Sequence, residues 1–328
     1  MPRAAQPRRP ARHRRQRDIA ARAEDVADAD RRRRPGKIGA MTSPKWSPDQ
    51  YLKFAAARGR AVDDLVARIQ TENPATVVDL GCGPGTATRT LVDRWPTAHV
   101  TGIDSSTEMI DKAEHIASDV PDGRLHFSVG AIETWAPEHP IDVIIANAAL
   151  HWVPEHVTLL PHWVAALRPG GTLAFQMPRP ADDRGAAALR AVVSDPRWSG
   201  RLADVTTPGG LASGPTWVRS AETYADILGR LDCSVDAWET TYMHVLPGDD
   251  PVLEWFAGSG LRPFTEALGG DDSGDAAAFR DAMAAALRDA YPQRPYGTIL
   301  PFHRVFVVAQ RAAVGRGDDG APQLDLSS

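Results

Sequence analysis

Asp79-Leu80-Gly81-Cys82-Gly83-Pro84-Gly85 is the stretch on which the reading of this chain turns. It continues Thr76-Val77-Val78, whose β-branched residues favour a short buried strand. It precedes Thr86 to Trp95, a helical pattern that Pro96 stops. Glycines at alternate positions let the backbone leave a strand sharply and approach a ligand closely. Two common nucleotide loops do not fit. A dinucleotide loop needs Gly-x-Gly-x-x-Gly, and Thr86 stands at the third glycine's position while Pro84 and Gly85 intrude. A phosphate-gripping loop needs Gly-Lys-Ser/Thr, which is missing here.

Outward from this turn the chain alternates between short apolar runs and amphipathic helices. Val62, Leu65, Val66 and Ile69 have helical spacing, so residues 50–70 read as a helix ended by Asn73-Pro74. His99 to Asp104, Leu125 to Val129 and Ile141 to Asn147 read as strands two to four. The fourth is almost wholly apolar, as a strand covered on both faces should be. Ser105 and Glu108 have capping-box spacing for the helix after strand two. Leu160, Trp163, Val164 and Leu167 give a helix closed by Pro169-Gly170-Gly171, and Thr172 to Met177 is a fifth strand. Ser234 to Leu246 and Ile299 to Gln310 supply two more. The fold class is therefore α/β. We expect a Rossmann-like, seven-stranded, mostly parallel sheet with helices on both faces. Residues 180–218 and 251–291 interrupt the second half and are expected to form a helical cap over the strand carboxyl ends, where open sheets bind ligands.

The formal net charge of −5 conceals an asymmetry. Residues 1–40 hold 13 Lys+Arg and 5 Asp+Glu, a net of +8, so the remainder carries −13. That first segment is nearly devoid of aromatics and large aliphatics, runs through Arg31-Arg32-Arg33-Arg34 and ends near Pro35-Gly36. It reads as a disordered basic extension, and residues 312–328 as a disordered tail, with one folded domain over 41–311. No apolar segment follows the arginines as a secretion signal requires, and no apolar run is long enough to span a bilayer. A cytoplasmic protein without membrane or nucleic-acid partners is expected. Two cysteines exclude a disulfide framework or a Cys-based zinc site, and no metal is expected.

The acid-x-Gly-x-Gly-x-Gly pattern resembles motif I of the class I S-adenosylmethionine-dependent methyltransferases. The resemblance implies S-adenosylmethionine as cofactor. Asp79 would then favour its cationic methionine end, and Gly81, Gly83 and Gly85 would line the loop. Asp104, ending strand two, would accept from the ribose hydroxyls. Members of this superfamily usually carry an acid after strand three for the adenine amino group. Ala131 stands at that position, so backbone groups near Ala131 and Ile132 are expected to hold adenine, with Glu133 as a substitute. Asn147 at the end of strand four completes the expected cofactor set.

Further stretches narrow the resemblance. They include Trp46-Ser47-Pro48-Asp49-Gln50-Tyr51, Asn147-Ala148-Ala149-Leu150-His151-Trp152, Gln176-Met177-Pro178, Trp238-Glu239-Thr240-Thr241-Tyr242-Met243-His244, Gly260-Leu261-Arg262-Pro263-Phe264 and Pro301-Phe302-His303-Arg304. Together they resemble the trans-aconitate 2-methyltransferase family across about residues 44–311. The resemblance implies monomethyl esterification of trans-aconitate. A carboxylate has a pKa of roughly 4 and is already ionised at neutral pH, so no general base is required. The work reduces to alignment and exclusion of water. A small tricarboxylate partner needs local positive charge in an acidic body. Arg262 and Arg304 are the first candidates, because arginine grips carboxylates with two prongs. Tyr51, His151, Tyr242, His244 and His303 are candidates to orient the reacting group. Rival readings are another acceptor on the same fold (an acyl-carrier-bound carboxyl, a different small acid or a phenolic hydroxyl), a nicotinamide-linked oxidoreductase, and a non-enzymatic or nucleic-acid-binding protein. Oligomeric state is not legible.

Overall fold

The computed structural model describes residues 55–120, 123–179, 184–203, 205, 217–257 and 260–313. Residues 1–40, most of the C-terminal tail, Tyr51 and the Trp46 stretch lie outside them. The elements run α1 (Ala55–Ala67), β1 (Thr76–Leu80), α2 (Thr86–Arg94), β2 (His99–Asp104), α3 (Thr107–Ala117), β3 (Leu125–Val129), β4 (Ile141–Asn147), α4 (His156–Ala166) and β5 (Leu167–Pro178). Then follow α5 (Arg184–Val193), α6 (Ser199–Leu202), α7 (Ala221–Gly229), β6 (Cys233–Leu246), α8 (Pro251–Ala257), α9 (Arg262–Ala267), α10 (Gly274–Ala290) and β7 (Thr298–Arg311). The seven strands form one sheet in the order β3-β2-β1-β4-β5-β7-β6. The strands β1 to β5 pair in parallel, while β7 runs antiparallel to both β5 and β6.

Side chains alternate across a strand, so register decides what shares a face. One face carries Val77, Val100, Val143, Ala174 and Phe306, packed with Leu65, Leu91 and Trp95 from the α1 and α2 side. The other carries Val78, Ile144, Phe175 and Val307, packed with Leu160 and Trp163 of α4 and Tyr224 and Leu228 of α7. This two-sided burial explains the unbroken apolar character of β4.

Two local expectations shift. The cap of α3 is Ser106, not Ser105: its hydroxyl accepts from Met109 N, while Asp104 Oδ1 takes Ser106 N. The carboxylate at the strand end claims the first turn and moves the helix start by one residue. The fifth strand begins at Leu167, not Thr172, and a register shift opposite Ile141 and Val143 absorbs Pro169-Gly170-Gly171.

Arg304 of β7 faces Pro178, the last residue of β5, yet β7 and β6 continue their pairing out to Thr298 and Leu246. The β6–β7 hairpin therefore projects past the carboxyl ends of the parallel strands. On it sits a separate apolar cluster: Leu246 and Leu300 of the hairpin, Leu189 and Trp198 from the first insertion, and Trp255, Phe264, Phe279 and Met283 from the second. The two insertions thus share one core beyond the carboxyl ends of the parallel strands.

Candidate active site

The glycine-rich turn is tied down by backbone bonds. Gly81 N and Cys82 N donate to Ile103 O at 2.7 and 3.0 Å. Gly83 N donates to Asp104 Oδ2 at 2.9 Å. Gly81, Gly83 and Gly85 have φ of 75, 55 and 80°, in the left-handed region that favours glycine. Their surroundings differ. A Cβ on Gly81 would lie 2.4 Å from the Ala149 Cβ, and one on Gly85 2.6 Å from the Phe127 ring. One on Gly83 would meet nothing within 4 Å. Gly81 and Gly85 are therefore demanded by packing, whereas Gly83 borders open space where a ligand can approach the backbone.

Asp79 is buried. Thr88 Oγ1, in the first turn of α2, donates to its Oδ2 at 2.6 Å, while Oδ1 is buried with no hydrogen-bond partner among the described residues. Burial pushes the carboxyl up to about 6, against the pull of Thr88 and with a further push from the charge of Asp104. An enclosed acceptor without a donor is costly unless an external cation or N–H supplies one. Asp104 has both oxygens engaged by the N–H groups of Gly83 and Ser106, so it fixes the loop. After β3, the turn holding Ala131 and Ile132 rests on the loop: Ile132 Cδ1 would lie 3.2 Å from a Gly81 Cβ. Glu133 is exposed.

The register places Asp79, Asp104, Asn147, Gln176, Arg304, Tyr242 and His244 on one face. At its carboxyl end Arg304, 4% exposed, donates to Gln176 Oε1 at 2.7 Å, and Gln176 Nε2 donates to Asn147 Oδ1. Ala148 follows with φ of 51°, its N–H bonded to Gln176 O at 2.9 Å. A non-glycine residue held there stores strain of about 1 kcal/mol. The chain then turns through a single 3₁₀ turn, Leu150–Trp152. This presents His151, which is buried, with Nδ1 lacking a partner among the described residues. Burial, then the charges of Arg304 and His156, drive its imidazole down to about 3. His151 is neutral throughout the ordinary pH range.

A family model described as a methyltransferase domain matches residues 77–171. A trans-aconitate 2-methyltransferase of Streptomyces avermitilis is 45% identical over 273 residues, covering 82% of this chain and 98% of the relative. Relatives of the same name from Streptomyces coelicolor and Mycolicibacterium gilvum are 44% identical, covering 82% and 81% of this chain and 88% and 98% of their own lengths. This chain belongs to the trans-aconitate 2-methyltransferase family.

Within this trans-aconitate 2-methyltransferase family fold, the remaining candidates fall into distinct places. Tyr242 is committed: its hydroxyl donates to Asp64 Oδ2 of α1 at 2.5 Å, and Arg60 lies over its ring at 5.1 Å. His244 is sandwiched, stacking on Tyr242 with centroids 6.0 Å apart and on Trp255 of α8 at 4.9 Å. It joins the sheet face to the cap. Arg262 begins α9 and is held by Glu266 one turn on, Nε to Oε1 at 2.9 Å, with its side chain 26% exposed. His303 points to the opposite face from its neighbour Arg304. There it bonds Thr241 Oγ1 at 2.9 Å and Glu239 Oε2 at 2.8 Å, and Arg179 meets the same carboxylate at 3.1 Å. Alternation alone could have separated His303 from Arg304. Two residues escaped the sequence reading. Thr88 carries no signal beyond lying in the first turn of α2. Gln176 was visible only as part of a motif, because its two partners come from strands 29 and 128 residues away in the chain.

Proposed function

We propose that this chain is an S-adenosylmethionine-dependent carboxyl O-methyltransferase that monomethylates trans-aconitate. The observation that carries the reading is the buried Arg304 at the carboxyl end of the sheet. It shares a face with the glycine-rich loop, in a chain 45% identical to a relative named for this activity. When bound, S-adenosylmethionine would supply an electrophilic methyl group on a sulfonium. The residues present suit it. Asp79 Oδ1 wants a donor or cation, Gly83 leaves room for close approach, and Asp104 and the Ala131–Ile132 turn would hold the ribose and adenine end.

The chain's own contribution is binding, alignment and exclusion of water. Arg304 would anchor a carboxylate of the acid that does not react. A guanidinium carries five N–H groups, enough to serve Gln176 and a carboxylate together. His151, neutral and buried, would orient the reacting carboxylate without competing for its proton. Its low basicity also disfavours a phenolic acceptor, which needs a base to remove a proton near pH 7. The His244–Trp255 stack would keep the cap closed over the site.

The deciding experiment incubates the full chain with methyl-labelled S-adenosylmethionine and a panel of di- and tricarboxylates. The expected result is label in trans-aconitate that mild base releases as methanol, the signature of an ester. Incorporation into other acids, or into none, with trans-aconitate untouched overturns the assignment.

A further inference from the structure

The chain of polar groups Arg304, Gln176 and Asn147 crosses three adjacent strands, β7, β5 and β4. We propose that Gln176 is a positioning residue: it transmits the donor-only character of Arg304 to Asn147, so that Asn147 presents N–H groups, and not its carbonyl, at the junction between cofactor loop and acceptor. The proposal rests on the carboxyl methyltransferase reading above, which it deepens by naming what orients the reacting anion.

The polarity follows from chemistry at each link. Arginine can only donate, so Gln176 must turn its oxygen toward Arg304. Its amino group is then forced the other way and must find an acceptor. Asn147 supplies Oδ1. That leaves Asn147 Nδ2 as the group not used within the relay. Gln176 is fully buried, so no water can reset the amide at the middle link. Position agrees with polarity. Asn147 lies two residues beyond Ile145, which pairs with Asp79, and so stands on the same face just past the end of β1. The next residues carry the strained Ala148 and then Ala149, whose Cβ would sit 2.4 Å from a Gly81 Cβ. The turn that bears Asn147 is thus wedged against the cofactor loop, while the other end of the relay is the buried cation. A pair of N–H groups there suits a carboxylate oxygen and repels an ammonium.

Gln176→Glu and Gln176→Leu separate this role from packing. Glutamate has the shape of glutamine and pairs well with arginine, so a residue that only fills space tolerates it better than leucine. The relay requires the opposite order. In Q176E the new carboxylate accepts at both ends, neutralises Arg304 and turns Asn147 around, so that the Asn147 carbonyl faces the acceptor. The expected result is a KM for trans-aconitate raised at least about 30-fold in Q176E and less than about 10-fold in Q176L, with the melting temperature of Q176E close to that of the unaltered protein. Q176E acting on trans-aconitate with KM within threefold of the original, or milder than Q176L, overturns the proposal. A second readout needs no turnover. In protein carrying ¹⁵N-labelled side-chain amides, the Asn147 resonance pair, identified by its loss in Asn147→Asp, should shift strongly in Q176E. An unmoved Asn147 signal overturns the relay whatever the acceptor. Absence of methyl transfer by the unaltered protein, with that shift present, instead removes the activity reading and leaves the relay standing.

Discussion

The two halves of the site are built in different ways. The half proposed to hold the cofactor, from β1 to the turn after β3, is made of backbone and near neighbours. Its loop bonds to the end of the adjacent strand, and its carboxylates at Asp79 and Asp104 are answered by Thr88, Gly83 and Ser106, all within 21 residues. The half proposed to hold the acceptor is made of side chains that meet only because β4, β5, β7 and β6 lie in register. Arg304 and Gln176 are 128 residues apart. A backbone site is rigid and tolerates little change in shape. A side-chain site depends on charge and on hydrogen-bond direction, and can be retuned one residue at a time.

The largest effect should come from breaking the backbone half. Gly81→Ala adds a Cβ 2.4 Å from that of Ala149 at a φ of 75°. Overpacking and left-handed strain together should cost about 3 kcal/mol, and cofactor binding should fall more than 100-fold. Gly83→Ala has the same kind of strain but open space, so about 1 kcal/mol is expected, with the loss concentrated in cofactor affinity. Thermal melts and cofactor titrations of the two variants test the difference; equal destabilisation would erase it.

On the acceptor side, Arg304→Ala should raise KM for trans-aconitate roughly 100-fold, since it removes a buried charge and strands Gln176 Oε1. Cofactor affinity should change less than about threefold. Arg262→Ala should raise KM by less than about fivefold, because its guanidinium is already shared with Glu266 at a partly exposed position. Steady-state kinetics of both variants check this ranking. An Arg262 effect as large as that of Arg304 would place α9 in the anion site.

Acidity distinguishes the halves in opposite directions. Asp79 stands near 6 against an ordinary 3.8, so the native state holds its proton more tightly. Stability from this group is present below about pH 4 and lost as pH rises through 6, a difference of about 3 kcal/mol. His151 is depressed, so its contribution is present above about 6.5 and lost as pH falls toward 3. Asp79→Asn should therefore raise the melting temperature of the ligand-free protein at pH 7 to 8. It should also weaken cofactor binding and abolish that binding's fall below about pH 6. Melts across pH that show no gain for Asp79→Asn would mean Asp79 is not strained in the empty fold. The smallest effect is expected from deleting residues 1–40. Their +8 charge lies outside the site residues, and kcat with trans-aconitate should stay within twofold. A larger loss in a labelled-methyl assay would make the arm part of the enzyme.

Much of the cofactor half could be read in advance because its residues are contiguous. Asp79 to Gly85 carries the turn, and Asp104 ends the next strand. The error at Ser105 arose where a carboxylate outside the helix competed for the cap, a contact invisible to spacing rules. On the acceptor side the sequence pointed to Arg262 and Arg304 as carboxylate anchors and to Tyr242, His244 and His303 as orienting groups, without ranking the members of either set. The structure sorts them by what each already touches: Asp64 claims Tyr242, Glu266 claims Arg262, and strand alternation sends His303 to the far face.

By itself the amino-acid sequence determined the order of strands and helices, the glycine-rich turn and the acids beside it, since these depend on propensity, periodicity and local backbone geometry. Only the tertiary structure decided which polar groups are spent on one another and which face the site. Those choices depend on the register of strands far apart in the chain, on burial that shifts Asp79 and His151 in opposite directions, and on the one-way hydrogen bonding that arginine imposes through Gln176.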